Sequence, residues 1–385
     1  MTEAKSECPG PGYGSAGNLV TTEDGWIMTA KSALQSSFAE THGYPRDPLK
    51  YYVEFPLHAV HYPLGFPLEI STNSEAVIVA AQESWGPFPK LQSAKKIHLR
   101  IGVSESGQKE LPKAPIFRAQ RGLITIIADA ENFAVCDVPR GFGFSWVTPV
   151  TVADSAFYRY HFLDVMAGLL LAPVHFAIIH AACVALDGHG VLLCGNSGAG
   201  KSTLAFACAQ RGWTFISDDA GHALRRHTGR TVIGNPLYLR LRADASDFFP
   251  ELLERPIILR QNGEMGLEIP TSSLPGFATA FRCAVDHVVF LNRSAAGGAR
   301  LTRFPKIEAQ RWLEDVLDLT LAYKPPSDGM AEEPEMILAD QEAREEQRAS
   351  IRELLTADVH ELRYSSLDSA IECLESEVRG RYGNR

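Results

Sequence analysis

No Cys-x-x-Cys pair occurs in the 385 residues, and the seven cysteines, an odd number, stand singly at Cys8, Cys136, Cys183, Cys194, Cys208, Cys283 and Cys373. This excludes a disulfide framework and a cysteine zinc site, and it fits reduced thiols in a cytoplasm. A long unbroken apolar run is also missing. The most apolar stretch, Val165 to Cys194, is interrupted by Pro173, His175, His180, Asp187 and His189. Such a segment is costly as a helix in lipid and reads as a buried helix followed by buried strands, so no membrane partner is expected. Positive charge is in deficit as well: 37 Lys and Arg against 46 Asp and Glu leave a net charge of -9. Affinity for nucleic acid rests on clustered Lys and Arg, so a general nucleic-acid binder is not expected. Met1 to Asn18 is rich in Gly, Pro, Ser and Glu without an apolar centre, which argues against a signal peptide. No internal repeat at solenoid or propeller spacing is present.

What remains is the composition of a soluble globular protein, 45% hydrophobic and 22% charged, long enough for two domains. A disordered tail is expected over 1–20 and a β-rich domain over 21–155, with strand-like runs at Ala59 to Ile70, Ala76 to Ala81, Ile97 to Val103 and Leu123 to Cys136. These read as a mainly antiparallel sheet. Ala156 to Leu171 has apolar residues at helical spacing and is expected to stop at Pro173. An α/β phosphate-loop domain is expected over 156–322 and 351–380, interrupted by an acidic flexible insertion or exposed helix at 323–350. Within it, Phe176 to Leu186, the turn Asp187-Gly188-His189-Gly190 and Val191 to Cys194 read as a hairpin. Further strands are expected near Val232, Leu237 to Leu241, Ile257 to Arg260 and Val285 to Leu291, and helices over Lys306 to Leu321 and Ser366 to Val378.

The hairpin feeds the strongest motif in the chain. Gly195-Asn196-Ser197-Gly198-Ala199-Gly200-Lys201-Ser202 matches GxxxxGK[ST] in full, between an apolar strand and a helix, and Thr203 follows. The glycines allow successive N–H groups to wrap phosphates in a concave nest, and the helix adds the positive end of its dipole. Lys201 supplies charge at the β and γ phosphates, and Ser202 can ligate Mg²⁺. Mg²⁺ needs a carboxylate nearby, and Asp218-Asp219 ends the next short strand, Thr214 to Ser217. Two adjacent acids can divide the work between metal and proton, or form a solvated turn. Arg240, Arg242 and Arg260 are either ordinary surface charges or contacts for phosphate or substrate. His58 and His61, three apart on a strand, would face opposite ways and so do not suggest a shared metal.

His180, the hairpin, the loop 195–202 and Asp218-Asp219 together resemble the catalytic domain of HPr kinase/phosphorylase and its relatives. The spacings carry the resemblance: His180 precedes Gly195 by fifteen residues, and Asp218 follows Lys201 by seventeen. The resemblance implies a P-loop fold of HPr-kinase type and an oligomer. It also implies ATP-dependent serine kinase chemistry on a protein or peptide, with Mg²⁺ as cofactor. Residue by residue it makes Asp218 the general base, Asp219 a metal-side carboxylate with Ser202, and His180 a neighbour of the transferred phosphoryl group. Residues 195–203 would hold the nucleotide. Read without the resemblance, His180 could equally be a core histidine. Thr203 stands where the bifunctional enzymes carry Glu, and no RGLGI-type signature follows Asp219. The pattern is thus similar to the wider relatives, one group of which phosphorylates ribosomally made lasso precursor peptides. A kinase of small hydroxylated metabolites and an ATP-binding regulatory module without transfer remain the alternative expectations.

Overall fold

The structure is a computed structural model that describes residues 53–382 except 121, 226–228, 262, 296, 324–334 and 337–340. The expected tail over 1–20 and the start of the expected N-terminal domain lie outside the described residues. Phe55–Arg385 forms one compact unit with a mixed α/β architecture. No helix among the described residues is long and apolar enough to cross a membrane.

The first sheet comprises β1 (Leu57–His61), β2 (Leu68–Thr72), β3 (Ile97–Val103), β4 (Ile116–Gln120), β5 (Leu123–Ile127), β6 (Phe133–Asp137) and β7 (Phe142–Val147) in the order β1-β2-β3-β7-β6-β5-β4. Its centre departs from the antiparallel expectation, because β3 pairs parallel with both β2 and β7. The expected single runs 59–70 and 123–136 are each two antiparallel strands. The turn Pro63–Gly65 divides the first, where Leu64 is left-handed at φ 51°. His58 is exposed on β1 and His61 is buried, so the two do point apart.

Ala76 to Ala81, read as a strand, belongs to helix α1 (Glu75–Trp85). The buried residues Val77, Ala80, Ala81, Ser84 and Trp85 recur at helical intervals. The full helical period shows only over the eleven residues of the element, whereas the six-residue apolar run mimics a strand.

A helical connection of α2 (Pro149–Ala153), α3 (Ser155–Tyr158), a π-turn at Arg159–Leu163 and α4 (Asp164–His175) leads to the second sheet. Helix α4 does not stop at Pro173 but runs two residues beyond it. A proline in the last turn removes a single hydrogen bond, and here its carbonyl accepts from buried Arg225 while Phe176 N–H caps Ala172 O.

The second sheet holds β8 (Phe176–Ile179), β9 (Ala182–Leu186), β10 (His189–Cys194), β11 (Thr214–Ser217), β12 (Gly221–Leu224), β13 (Thr231–Ile233), β17 (Arg282–Arg293), β18 (Arg300–Arg303) and β21 (Asp358–Tyr364), along the path β11-β9-β10-β17-β13-β12-β8. Strands β14 (Tyr238–Arg242), β15 (Ile258–Leu259) and β16 (Met265–Pro270) form a small sheet of their own. The hairpin β9–β10 turns on Asp187 and Gly188, both at positive φ (50° and 88°), which suits a tight two-residue turn. Strand β10 pairs parallel with β17, and β17 with β21.

Helices cover both faces of this sheet, which is why β10 reads as a continuous apolar run. Leu192 and Cys194 face a core shared with the first sheet and α4. Val191 and Leu193 face a second core beneath α5 (Lys201–Gln210) and α8 (Leu367–Tyr382). Helix α6 (Lys306–Leu321) lies where expected. Residues 341–350, read as part of an acidic insertion, begin helix α7 (Gln341–Leu354). The helix is anchored because buried Gln347 donates to the carbonyls of Ala172 and Phe176.

Candidate functional site

Strand β10 ends at Cys194 and helix α5 begins at Lys201, so the phosphate-loop motif spans the strand-to-helix turn its sequence calls for. Gly195, Gly198 and Gly200 have φ of 153°, 82° and 90°, conformations that side chains rarely adopt. A Cβ on Gly200 would lie 2.6 Å from the Tyr364 hydroxyl, so the loop also needs glycine there for space. The Tyr364 hydroxyl donates to Ala199 O at 2.9 Å, and Trp312 Nε1 to Asn196 Oδ1 at 3.3 Å. The loop is therefore braced from β21 and α6.

Lys201 is buried, and its Nζ donates to Gly195 O at 2.9 Å and Asn196 O at 3.4 Å. Burial pulls its pKa down, against the opposing pull of Asp219. Ser202 Oγ donates to the Asp218 carbonyl at 3.1 Å, which ties the start of α5 to the end of β11. Strand β9 pairs antiparallel with both β10 and β11, so β10 and β11 run the same way and end at one edge of the sheet. That topology brings the loop and the Asp pair together across a strand that contributes to neither.

The two aspartates differ. Asp218 is buried, 3% exposed, and its Oδ2 accepts from the Arg240 backbone N–H. Burial raises its pKa to about 6, a rise that Arg240 opposes and Asp219 reinforces. Asp219 is exposed, and its Oδ1 lies 3.0 Å from His180 Nδ1. His180 occupies the crossing between β8 and β9, half exposed, rather than a core position on a strand.

A cavity of about 920 Å³ opens over these groups, lined by His180, Ser197, Lys201, Ser202, Thr203 and Asp219 among others. Asp218, buried next to Asp219, is not among the lining residues. Arg240, Arg242 and Arg260 all reach it, Arg240 through β14 with its Nε 3.0 Å from Glu268 Oε2. Sequence reasoning missed Arg293 and Arg159, which also line it. Arg293 ends the long strand β17 beside β10, and its place at a strand's C-terminal end is the signal by which it can be found. Arg159 comes from the π-turn and is held by Ser84 and Glu83 of α1, at 2.8 and 3.3 Å. Tyr364 and Trp312 were missed too, and no local motif marks them.

Residues 172–240 match the HPr Serine kinase C-terminal domain family. A curated HPr kinase/phosphorylase of Mycoplasmopsis pulmonis (strain UAB CTIP) is 39% identical over 61 residues, 16% of this chain. The chain spans only 19% of the length of that relative. A solved structure, the Hpr(Ser) kinase/phosphatase from Coxiella burnetii, aligns over 54% of this chain and 97% of its own at 14% identity, with a TM-score of 0.27. The similarity rests on the sequence of the segment that holds His180, the loop, the Asp pair and Arg240.

Proposed function

We propose that this chain is an ATP-dependent serine kinase of the HPr-kinase-related type, acting on a protein or peptide. The observation that carries the reading is the convergence of the loop, Asp219 and His180 around one cavity, with Asp218 buried next to Asp219, all within the matched segment. In this reading the loop amides and Lys201 hold the β and γ phosphates of ATP. The hydroxyl of Ser202 and the carboxylate of Asp219 are hard oxygen donors that both line the cavity, the donor chemistry that suits Mg²⁺. Bound there, the ion would neutralise charge on the phosphates.

Asp218 serves as the base. With its pKa near 6 it is ionised at neutral pH yet basic enough to accept a proton. It takes the proton of the seryl hydroxyl as the seryl oxygen bonds to the γ phosphorus. The bond from that phosphorus to the bridging oxygen breaks, and ADP leaves with the electron pair. Arginines at 240, 242, 260 and 293 supply the positive wall that holds an anionic transition state in place.

Asp218→Asn tests the assignment. Transfer of labelled γ phosphate is expected to fall by about a thousandfold, with nucleotide affinity within about threefold of the parent. Retained transfer would remove Asp218 from the role. One observation favours the exchanged arrangement: Asp219 lines the cavity and contacts His180, while Asp218 does not line it. If Asp219→Asn abolishes transfer with nucleotide binding intact and Asp218→Asn does not, the His180–Asp219 pair is the base. Screening peptide pools against free serine and small alcohols decides the acceptor class, and labelling of small alcohols alone would overturn the protein or peptide substrate.

A further inference from the structure

Near the start of the parallel pairing of β17 with β21, two imidazoles and a carboxylate converge from three elements. His287 lies near the start of the pairing between β17 and β21, and His360 sits diagonally across from it, since His287 is opposite Asp358 and Val289 opposite His360. Side chains on a strand alternate, so His287 shares a face with Val289 and Leu291, and His360 with Leu362 and Tyr364. Those apolar neighbours pack with Leu374 and Val378 of α8. Glu377 of that helix closes over the two rings. Both histidines are buried, at 1% and 8% exposure, and their rings stack with centroids 6.1 Å apart.

One ligand atom from each of His287, His360 and Glu377 lies within 4.8 Å of the other two. We propose that these three residues bind one divalent transition-metal ion of the Zn²⁺ class, clamping β17 and β21 to helix α8.

Two imidazoles and a carboxylate, with a fourth position left to water, form a known donor set for tetrahedral zinc and a poor one for Mg²⁺. Bonds of about 2.0–2.1 Å to a tetrahedral ion put ligand atoms roughly 3.4 Å apart, so modest side-chain rotations complete the site. His360 Nε2 is 3.9 Å from Glu377 Oε1, too long for a hydrogen bond. Nδ1 of His360 is buried with no hydrogen-bond partner among the described residues, so the ring is not locked in place by another group. Arg303, directly across from His360 on β18, is exposed and free to extend into water.

The test is titration of the full chain with Zn²⁺ and with Co²⁺, in excess Mg²⁺ and without nucleotide, so that oxygen-donor sites are filled and no free phosphate chelates the added ion. One equivalent is expected to bind, to raise the melting temperature, and with Co²⁺ to give visible bands of a low-coordinate site without a thiolate charge-transfer band. Glu377→Gln and His360→Ala should each weaken binding by about tenfold or more, with circular dichroism unchanged. If His360→Ala does not fold, Glu377→Gln on the half-exposed helix face decides alone. A thiolate band, affinity unchanged in the variants, or no saturable micromolar binding would each overturn the proposal. Because the readout is metal stoichiometry, its failure leaves the kinase reading untouched, and the converse holds.

Discussion

Asn132 in the first sheet and Asp218 in the second are both buried polar side chains, at 0% and 3% exposure, and they are held in opposite ways. Asn132 is satisfied on both sides of its amide. Its Oδ1 accepts from Thr148 N–H at 2.9 Å and from the hydroxyls of Thr148 and Thr151 at 3.1 and 2.7 Å. Its Nδ2 donates to Asp129 Oδ1 at 3.0 Å and Gln108 Oε1 at 3.2 Å. The result is a neutral hub that fixes the turn between β5 and β6 against the start of α2. Asp218 is a carboxylate in a place that penalises its charge, with a second carboxylate next in sequence. The buried amide in the first sheet has its hydrogen bonds met, whereas the buried carboxylate in the second carries a charge that its surroundings disfavour.

The largest effect expected from breaking this contrast is in the first sheet. Asn132→Ala leaves the Thr148 amide and one of the two buried hydroxyls, which otherwise bond only each other, without an acceptor, at a cost of about 3–5 kcal/mol. Urea denaturation measures it. Nucleotide affinity of the folded fraction should be unchanged, and a joint loss of both would mean the two regions are not separable.

Asp218→Asn should do the reverse. The ordinary carboxyl value is 3.8 and the folded value about 6, so the folded state holds its proton while the unfolded chain releases it. Stability of the parent therefore declines as pH rises from about 4 to 6 and stays lowered above that. The Asn variant escapes the penalty, so at about pH 8 it should be more stable by on the order of 3 kcal/mol, a gain that fades below about pH 4. Denaturation at several pH values without nucleotide checks this. In the parent, transfer should decline as pH drops through about 6, because the protonated base cannot accept a proton. A gain that persists in acid would show that the carboxylate is not the source of the penalty.

Gly200→Ala strikes the loop itself. The residue has φ 90°, and the new Cβ would lie 2.6 Å from the Tyr364 hydroxyl. Nucleotide affinity is expected to fall by about thirtyfold, equivalent to roughly 2 kcal/mol, in isothermal titration. Unchanged affinity would separate the loop's backbone from nucleotide binding.

How much of this was visible beforehand follows from distance along the chain. The loop, the hairpin turn at Asp187-Gly188 and the Asp pair are each set by a few neighbouring residues whose backbone requirements are chemical and local. They were legible for that reason. Arg293 reaches the cavity, and Trp312 and Tyr364 the loop, only through the parallel pairings of β10, β17 and β21 and the packing of α6, and no spacing encodes those contacts. The first sheet was misread wherever short apolar runs were ambiguous: 76–81 looked like a strand until its helical period emerged over the whole of Glu75–Trp85. Its parallel centre is likewise a property of pairing, not of any one strand.

The smallest effect belongs to the contact that joins the two kinds of information. Tyr364→Phe removes a single hydrogen bond, from the hydroxyl to Ala199 O at 2.9 Å, and leaves the buried ring in place. A hydrogen bond of this kind contributes about 1 kcal/mol, so nucleotide affinity should weaken by about fivefold at most, with little change in stability. Burial raises the Tyr364 pKa, with Arg293 opposing, so the hydroxyl keeps its proton throughout the neutral range. The loss should therefore be the same at about pH 6 and about pH 8, and titrations at both pH values measure it. A pH-dependent loss would mean that Tyr364 acts on the site through charge instead of bracing the loop.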